Sequence, residues 1–271
     1  MYKLRNWIDV NNINWVLLSI NPAAIHLLEQ NPDKIHWGWM SQNPAAIHLL
    51  EQYPEKCWCW LSQNPAAILL LKKNPKKIDW GDLSQNPAAI PFLEQHPEKI
   101  SWVFLSKNPS AIHLLEKHPE KIYWMYLSEN PAAIHLLEKN PEKIDWFYLS
   151  KNPAAIHLLE KHPEKIDWCI LSMNQEAIHL LEKNPEKINW DSLSRNPKAI
   201  HLLEKHPEKI DWNWLSSNPS IFTYDYFAMK NTKSILHEEL IRTLFHPNNI
   251  KKFDDWGFDT DLQDDDYTFV Y

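Results

Sequence analysis

From Leu149 the chain reads L-S-K-N-P-A-A-I-H-L-L-E-K-H-P-E-K-I-D-W-C-I before L-S returns at Leu171. Apolar and polar positions keep this order through most of the 271 residues. Proline is tolerated in the first turn of a helix and breaks its interior, so each proline marks a helix start. Asn152-Pro153 predicts one helix, with the Asn side-chain oxygen capping it. His162-Pro163 predicts a second. Each has room for about eight or nine residues, roughly 12–13 Å at 1.5 Å per residue. Helices that short need neighbours to hold them. On a helical wheel Ala154, Ala155, Ile156, Leu158 and Leu159 fill one arc, and His157, Glu160 and Lys161 fill the other. The second helix carries two apolar arcs, Ile166 on one side and Trp168 with Leu171 on another, which suits a helix packed between neighbours.

The unit recurs with serines at 19, 41, 62, 84, 106, 128, 150, 172, 194 and 216, a spacing of 22 except for one step of 21. A short fixed period makes each unit contact its neighbours. The expected fold is all-α: an α-solenoid of short two-helix 22-residue repeats with a C-terminal helical cap and an acidic tail. The divisions are a partial repeat over 1–18, tandem repeats over 19–218, a cap over 219–253 and a tail over 254–271. Units one helix diameter apart predict a rod or gentle superhelix of roughly 80–100 Å. Residues 53–95 break the rule. One residue is missing near Cys57–Trp58, Leu69 and Lys72 replace the usual His and Glu, and Pro91 falls within a helix. A local change of curvature is expected there.

Composition sharpens this picture. Three glycines are too few for the turns of an all-β protein, and fifteen tryptophans are too many for a disordered chain. Ten tryptophans form one column, from Trp15 to Trp212. The net charge of −7 is concentrated after Asn218, where ten acidic residues face five basic ones. That balance argues against nucleic-acid binding. Cys57, Cys59 and Cys169 make no disulfide framework and read as ordinary buried thiols of a reducing compartment. No signal peptide or membrane-spanning run is expected.

Two columns look like metal ligands: histidines from His26 to His201, and glutamates from Glu29 to Glu204, three residues apart on one helix. One His and one Glu are too few ligands for zinc, so the columns read as a solvated face with ion pairs to the lysine column Lys34–Lys209. No cofactor or metal site is expected, and no catalytic motif occurs. The two residues after each column tryptophan vary most and are often aromatic. Among them Trp39, Trp60, Phe104, Tyr126, Phe147, Tyr148 and Trp214 are candidate protein-interaction residues. Imperfect filling of the core is the competing explanation, since the second of each pair falls near the Ile side of the helix.

After S-N-P-S-I-F-T-Y-D-Y, Ser234 caps an expected helix whose Ile235, Leu236, Leu240, Leu244 and Phe245 can cover the end of the stack. Residues 254–266 hold seven aspartates, a solvated tail whose spacing does not match a calcium loop. The unit N-P-x-A-I-x-L-L-E-x-x-P-x-K-I-x-W-x-x-L-S, followed by S-N-P-S-I-F-T-Y-D-Y and E-E-L-I-R-T-L-F-H-P-N-N-I-K-K-F, resembles repeat proteins of giant nucleocytoplasmic DNA viruses, the mimivirus-like group. Gln175 departs from it, standing where proline is expected. The resemblance implies a viral origin, in host cytoplasm or virion, and no particular activity. The expected function is a non-enzymatic scaffold with unidentified protein partners and no nucleic-acid or membrane partner; the alternative is a structural component of the virus particle.

Overall fold

The computed structural model describes residues 2–56, 58–227, 229–231 and 242. Residues 2–223 form one compact unit; residues 224–271 and Met1 are assigned to a second. The expected cap helix with Ile235, Leu236, Leu240, Leu244 and Phe245, the acidic tail, and Cys57 lie outside the described residues.

The all-α repeat architecture is present. In a regular unit, a 3₁₀ turn at Pro153–Ala155 runs directly into an α-helix at Ile156–Lys161. The tighter turn rotates its residues off the α wheel. Ala155 is therefore fully buried, whereas Ala154, expected on the apolar arc, is exposed. Leu159 of this helix and Leu171 of the next segment are also fully buried. Each such leucine contributes about 2 kcal/mol of hydrophobic stabilisation.

The predicted second helix is two pieces. Pro163–Lys165 is a single 3₁₀ turn, Ile166 and Asp167 are extended, and a new α-helix spans Trp168–Leu171. Asp167 is the N-cap, accepting from the Ile170 N–H at 2.9 Å. The break explains the two apolar arcs, since Ile166 and Trp168 do not share a helix. His162 makes no capping hydrogen bond to the turn that follows it. In the Asn units this position serves the preceding helix instead, as where Asn140 Nδ2 donates to the Leu136 carbonyl at 2.9 Å.

Two buried polar columns join the units. Asn152 Oδ1 accepts from the Ala154 N–H at 3.0 Å, the expected cap. Its Nδ2 also donates backward to the carbonyls of Ser128 and Asn130, at 2.9 and 3.0 Å. Ser150 Oγ donates to the Trp146 carbonyl at 2.8 Å and accepts from the Asp167 N–H of the next unit at 3.0 Å. Both side chains are fully buried, so every bond is made where water cannot substitute. Among the described residues, the Trp7 indole N–H is the one buried side-chain polar atom without a hydrogen-bond partner.

The same rules close the array on itself, which corrects the expected rod. Asn21 Nδ2 donates to the carbonyls of Ser216 and Asn218, both at 3.0 Å, as Asn152 does to Ser128 and Asn130. Asn14 N–H donates to Ser216 Oγ at 2.8 Å, the equivalent of Asp167 to Ser150. The helices Trp15–Leu18 and Trp212–Ser216 pack together like other successive tryptophan helices. The array of repeats within residues 2–223 is thus a closed ring.

The tenth unit of the ring is composite. Its start is the capped turn Pro219–Ile221, and its end is Val10–Asn12, Ile13, the cap Asn14 and the tryptophan helix. Between these halves, where other units carry the first helix, strand β1 (Tyr2–Leu4) pairs with strand β2 (Phe222–Tyr224). Arg5 extends the join, its N–H donating to the Ile221 carbonyl at 2.9 Å and its Nε to the Ser220 carbonyl at 2.7 Å.

The irregularity expected across 53–95 is narrower than that span. The asparagine ladder passes through it unbroken at Asn64 and Asn86. The missing residue removes the capped start of one tryptophan helix. Trp60 instead adopts a left-handed backbone, φ 55°, and Leu61–Gln63 forms only a 3₁₀ turn. Ser41 Oγ donates there to the Cys59 carbonyl. Pro91 sits in the first turn of the helix Ile90–Leu93, where proline is tolerated, so the expected interior break does not arise. Inserting Asp between Cys57 and Trp58 restores the 22-residue spacing, the cap and a right-handed Trp60. We expect it to raise unfolding free energy by about 2 kcal/mol, from a cap near 1 and relief of the left-handed residue of 1–2. Denaturant unfolding checks this.

Candidate binding surface

Most column tryptophans are braced by a neighbouring lysine, histidine or both. Lys165 Nζ lies 4.6 Å from the centre of the Trp146 ring, and His162 meets the same ring edge-on with centroids 5.0 Å apart. The pattern recurs at Trp102 with Lys121 and His118, and at Trp190 with Lys209 and His206. The lysine column therefore packs on tryptophan faces, a cation–π arrangement. The expected ion pairs of that column with the glutamate column are replaced by others. His157 Nε2 meets Glu138 Oε1 of the preceding unit at 2.9 Å, and equivalent pairs include His48–Glu29, His113–Glu94 and His201–Glu182. These pairs are solvent-exposed, so each contributes little to stability.

The tryptophan helices also present the variable pairs. Their second members are not core residues: Trp39, Phe104, Tyr126, Tyr148 and Trp214 are half-buried, and Trp60 is exposed. Phe147, a first member, is 49% exposed. The second members touch their counterparts in adjacent units. Trp39 and Trp60 have centroids 5.0 Å apart, and Tyr126 and Tyr148 meet edge-on at 5.5 Å. Phe104 lies beside Gly81, where a Cβ would come within 3.3 Å of its ring. In three units the residue after the column serine supports the next unit's variable position. Gln63 Nε2 donates to Asp82 Oδ1 at 2.8 Å, Lys107 Nζ lies 4.3 Å from the Tyr126 centroid, and Arg195 lies 4.2 Å from that of Trp214. Sequence reasoning missed these supporting residues. Their signal is that they vary along with the aromatics.

One part of this surface is concave. A cavity of about 180 Å³ is lined by Phe147, Tyr148, Ile170 and Met173, with Glu129, Lys151 and Arg195 supplying charge. Met173 is a half-buried part of this wall. Glu129 lies between Lys107 at 3.7 Å and Lys151 at 3.4 Å. Partial burial pushes the Tyr148 hydroxyl above the usual tyrosine range, with Tyr126, Glu129 and Asp145 adding to the shift, so it is a neutral donor at pH 7. Burial lowers the Arg195 guanidinium from its ordinary value. The cavity thus offers aromatic and thioether area, one neutral hydroxyl donor and a guanidinium held against an indole.

Among the described residues no three His, Cys, Asp or Glu side chains converge as a metal site. Cys59 and Cys169 are free, and both are exposed rather than buried as expected, because each follows its column tryptophan at a variable, outward position. No helix among those residues is long and apolar enough to cross a membrane. Fold and surface together define a closed-ring helical-repeat protein. No protein family, curated protein or solved structure matches the chain.

Proposed function

We propose that the ring is a non-enzymatic scaffold that binds protein partners through the face carrying its variable tryptophan-helix residues. The observation that supports this reading most is the contrast within one unit. Asparagine, serine, leucine and tryptophan columns repeat almost unchanged, while the aromatic positions beside them vary and remain accessible. Aromatic and arginine side chains dominate the energetics of protein interfaces, and Phe147, Tyr148 and Arg195 line a concavity, with Trp214 against Arg195. The resemblance to giant-virus repeat proteins suggests seeking the partner in an infected host cell.

The test compares proteins recovered from infected cells by the wild-type chain and by Phe147→Ala/Tyr148→Ala. Both side chains lie outside the buried core, so the variant should keep its cooperative melting transition. Loss of a specific partner with folding retained is the expected result. An unchanged set of partners, or recovery of none by the wild type, contradicts the proposal.

A further inference from the structure

The exposed histidine–glutamate belt is interrupted in one sector. Pairs stand on both sides, His48–Glu29 at 2.8 Å before it and His113–Glu94 at 3.1 Å after it. In between, Leu69 occupies a histidine position, Lys72 a glutamate position and Pro91 the next histidine position. The unit also has Lys76 where other units carry Asp33, Glu55, Glu98 or Glu164. Both acidic columns are therefore reversed in sign in the same unit. No Asp or Glu occurs between Glu55 and Asp79, whereas Lys72, Lys73, Lys76 and Lys77 are all exposed there.

Packing does not require this change. Leu70 and Leu71 keep the buried face, and Asn64 keeps both of its backward hydrogen bonds. Lys72 lies over the Phe92 ring at 5.4 Å and Lys77 over Trp58 at 5.8 Å, each in contact with a ring rather than a carboxylate. Lys73 and Lys76 make no ion pair among the described residues. Leu69 is 71% exposed on the same ridge. An exposed leucine alone needs no explanation, but here it coincides with two charge reversals on a chain whose net charge is −7.

We propose that the helix Ile68–Lys73 and turn Pro75–Lys77 form a docking ridge for a short acidic protein segment that lays an apolar side chain against Leu69. Charge complementarity selects the acidic partner. The ridge is one unit wide, with exposed Glu51 and Glu55 in the unit before it and Glu94 and Glu98 in the unit after it. Those carboxylates repel a broad polyanion, such as a charged bilayer or a nucleic-acid duplex, and leave room for a single strand of peptide. This site is separate from the tryptophan-helix surface and does not depend on it.

The probe is a fluorescein-labelled peptide Asp-Glu-Leu-Asp-Glu-Leu-Asp-Glu, titrated against the full chain by anisotropy at about 0.15 M salt. The expected result is saturable binding at one site. Leu69→His/Lys72→Glu/Lys76→Glu, which gives this unit the side chains of its neighbours, should fold normally and bind about tenfold more weakly or worse. The converse variant His157→Leu/Glu160→Lys/Glu164→Lys should create a second site. The proposal is overturned if the wild type does not bind the peptide, if the first variant binds it equally well, or if anionic vesicles or duplex DNA bind as tightly with the same dependence on Lys72 and Lys76.

Discussion

Replacing Asn152 with alanine should destabilise the ring by about 3–5 kcal/mol, although the substitution touches no hydrophobic contact of the core. Three losses combine. The Ala154 N–H loses its cap, at about 1 kcal/mol. The Ser128 carbonyl loses the Asn152 donor in a place where water cannot replace it, at about 1–3 kcal/mol, and the Asn130 carbonyl, which keeps the Ala133 N–H, loses a second bond worth about 1 kcal/mol. Asn152→Asp separates the two roles, because aspartate caps as well as asparagine but cannot donate when ionised. It should be at least as damaging as alanine near neutral pH, since it sets a buried carboxylate against two carbonyl oxygens. At an exposed cap the same change would be nearly neutral. Chemical denaturation of the three proteins measures the difference.

Asn21→Ala should cost as much as Asn152→Ala. Asn21 belongs to the first unit in sequence, and in an open stack its amide would face solvent. Loss of the cap alone would then cost about 1 kcal/mol. In the ring its Nδ2 is buried against Ser216 and Asn218, 195 and 197 residues away. The equal cost follows from equal surroundings, because the side chain is as fully buried as the internal asparagines. An Asn21→Ala protein that loses only the cap contribution would show that the ends do not meet.

Much of the unit was legible in the sequence. Prolines placed the turns, the asparagine before the first proline capped as expected, and the leucine columns are the core. The backward hydrogen bonds were not read, although a signal for them exists. Ser, Thr and Asp cap about as well as Asn, yet the cap of the first turn is Asn in all ten units, including Asn174, where Gln175 replaces the proline. A position that needs only an acceptor would vary, as the cap before the tryptophan does: Asp167, Asn189, His36 and Ser101 all occur there. The fixed asparagine is fixed by its amide.

Ring closure was also missed. It depends on a small rotation per unit accumulated over ten units, which no local pattern reports. Two fragments nevertheless hinted at it. Val10–Trp15 reads as the second half of a unit with no first half, and Asn218–Ile221 as a first half with no second. The candidate surface was half legible. The aromatics stood out as variable, but their lysine, glutamine and arginine supports come from neighbouring units and are joined only by the fold.

Closure can be tested covalently at Asn14 and Asn213, whose side chains share a 2.8 Å hydrogen bond across 199 residues. With Cys57, Cys59 and Cys169 replaced by serine, Asn14→Cys/Asn213→Cys is oxidised at low protein concentration and run on a non-reducing denaturing gel. A closed ring predicts an intramolecular disulfide, seen as a faster-migrating monomer that reverts on reduction. Free thiols throughout, or disulfides only between separate copies, would contradict it.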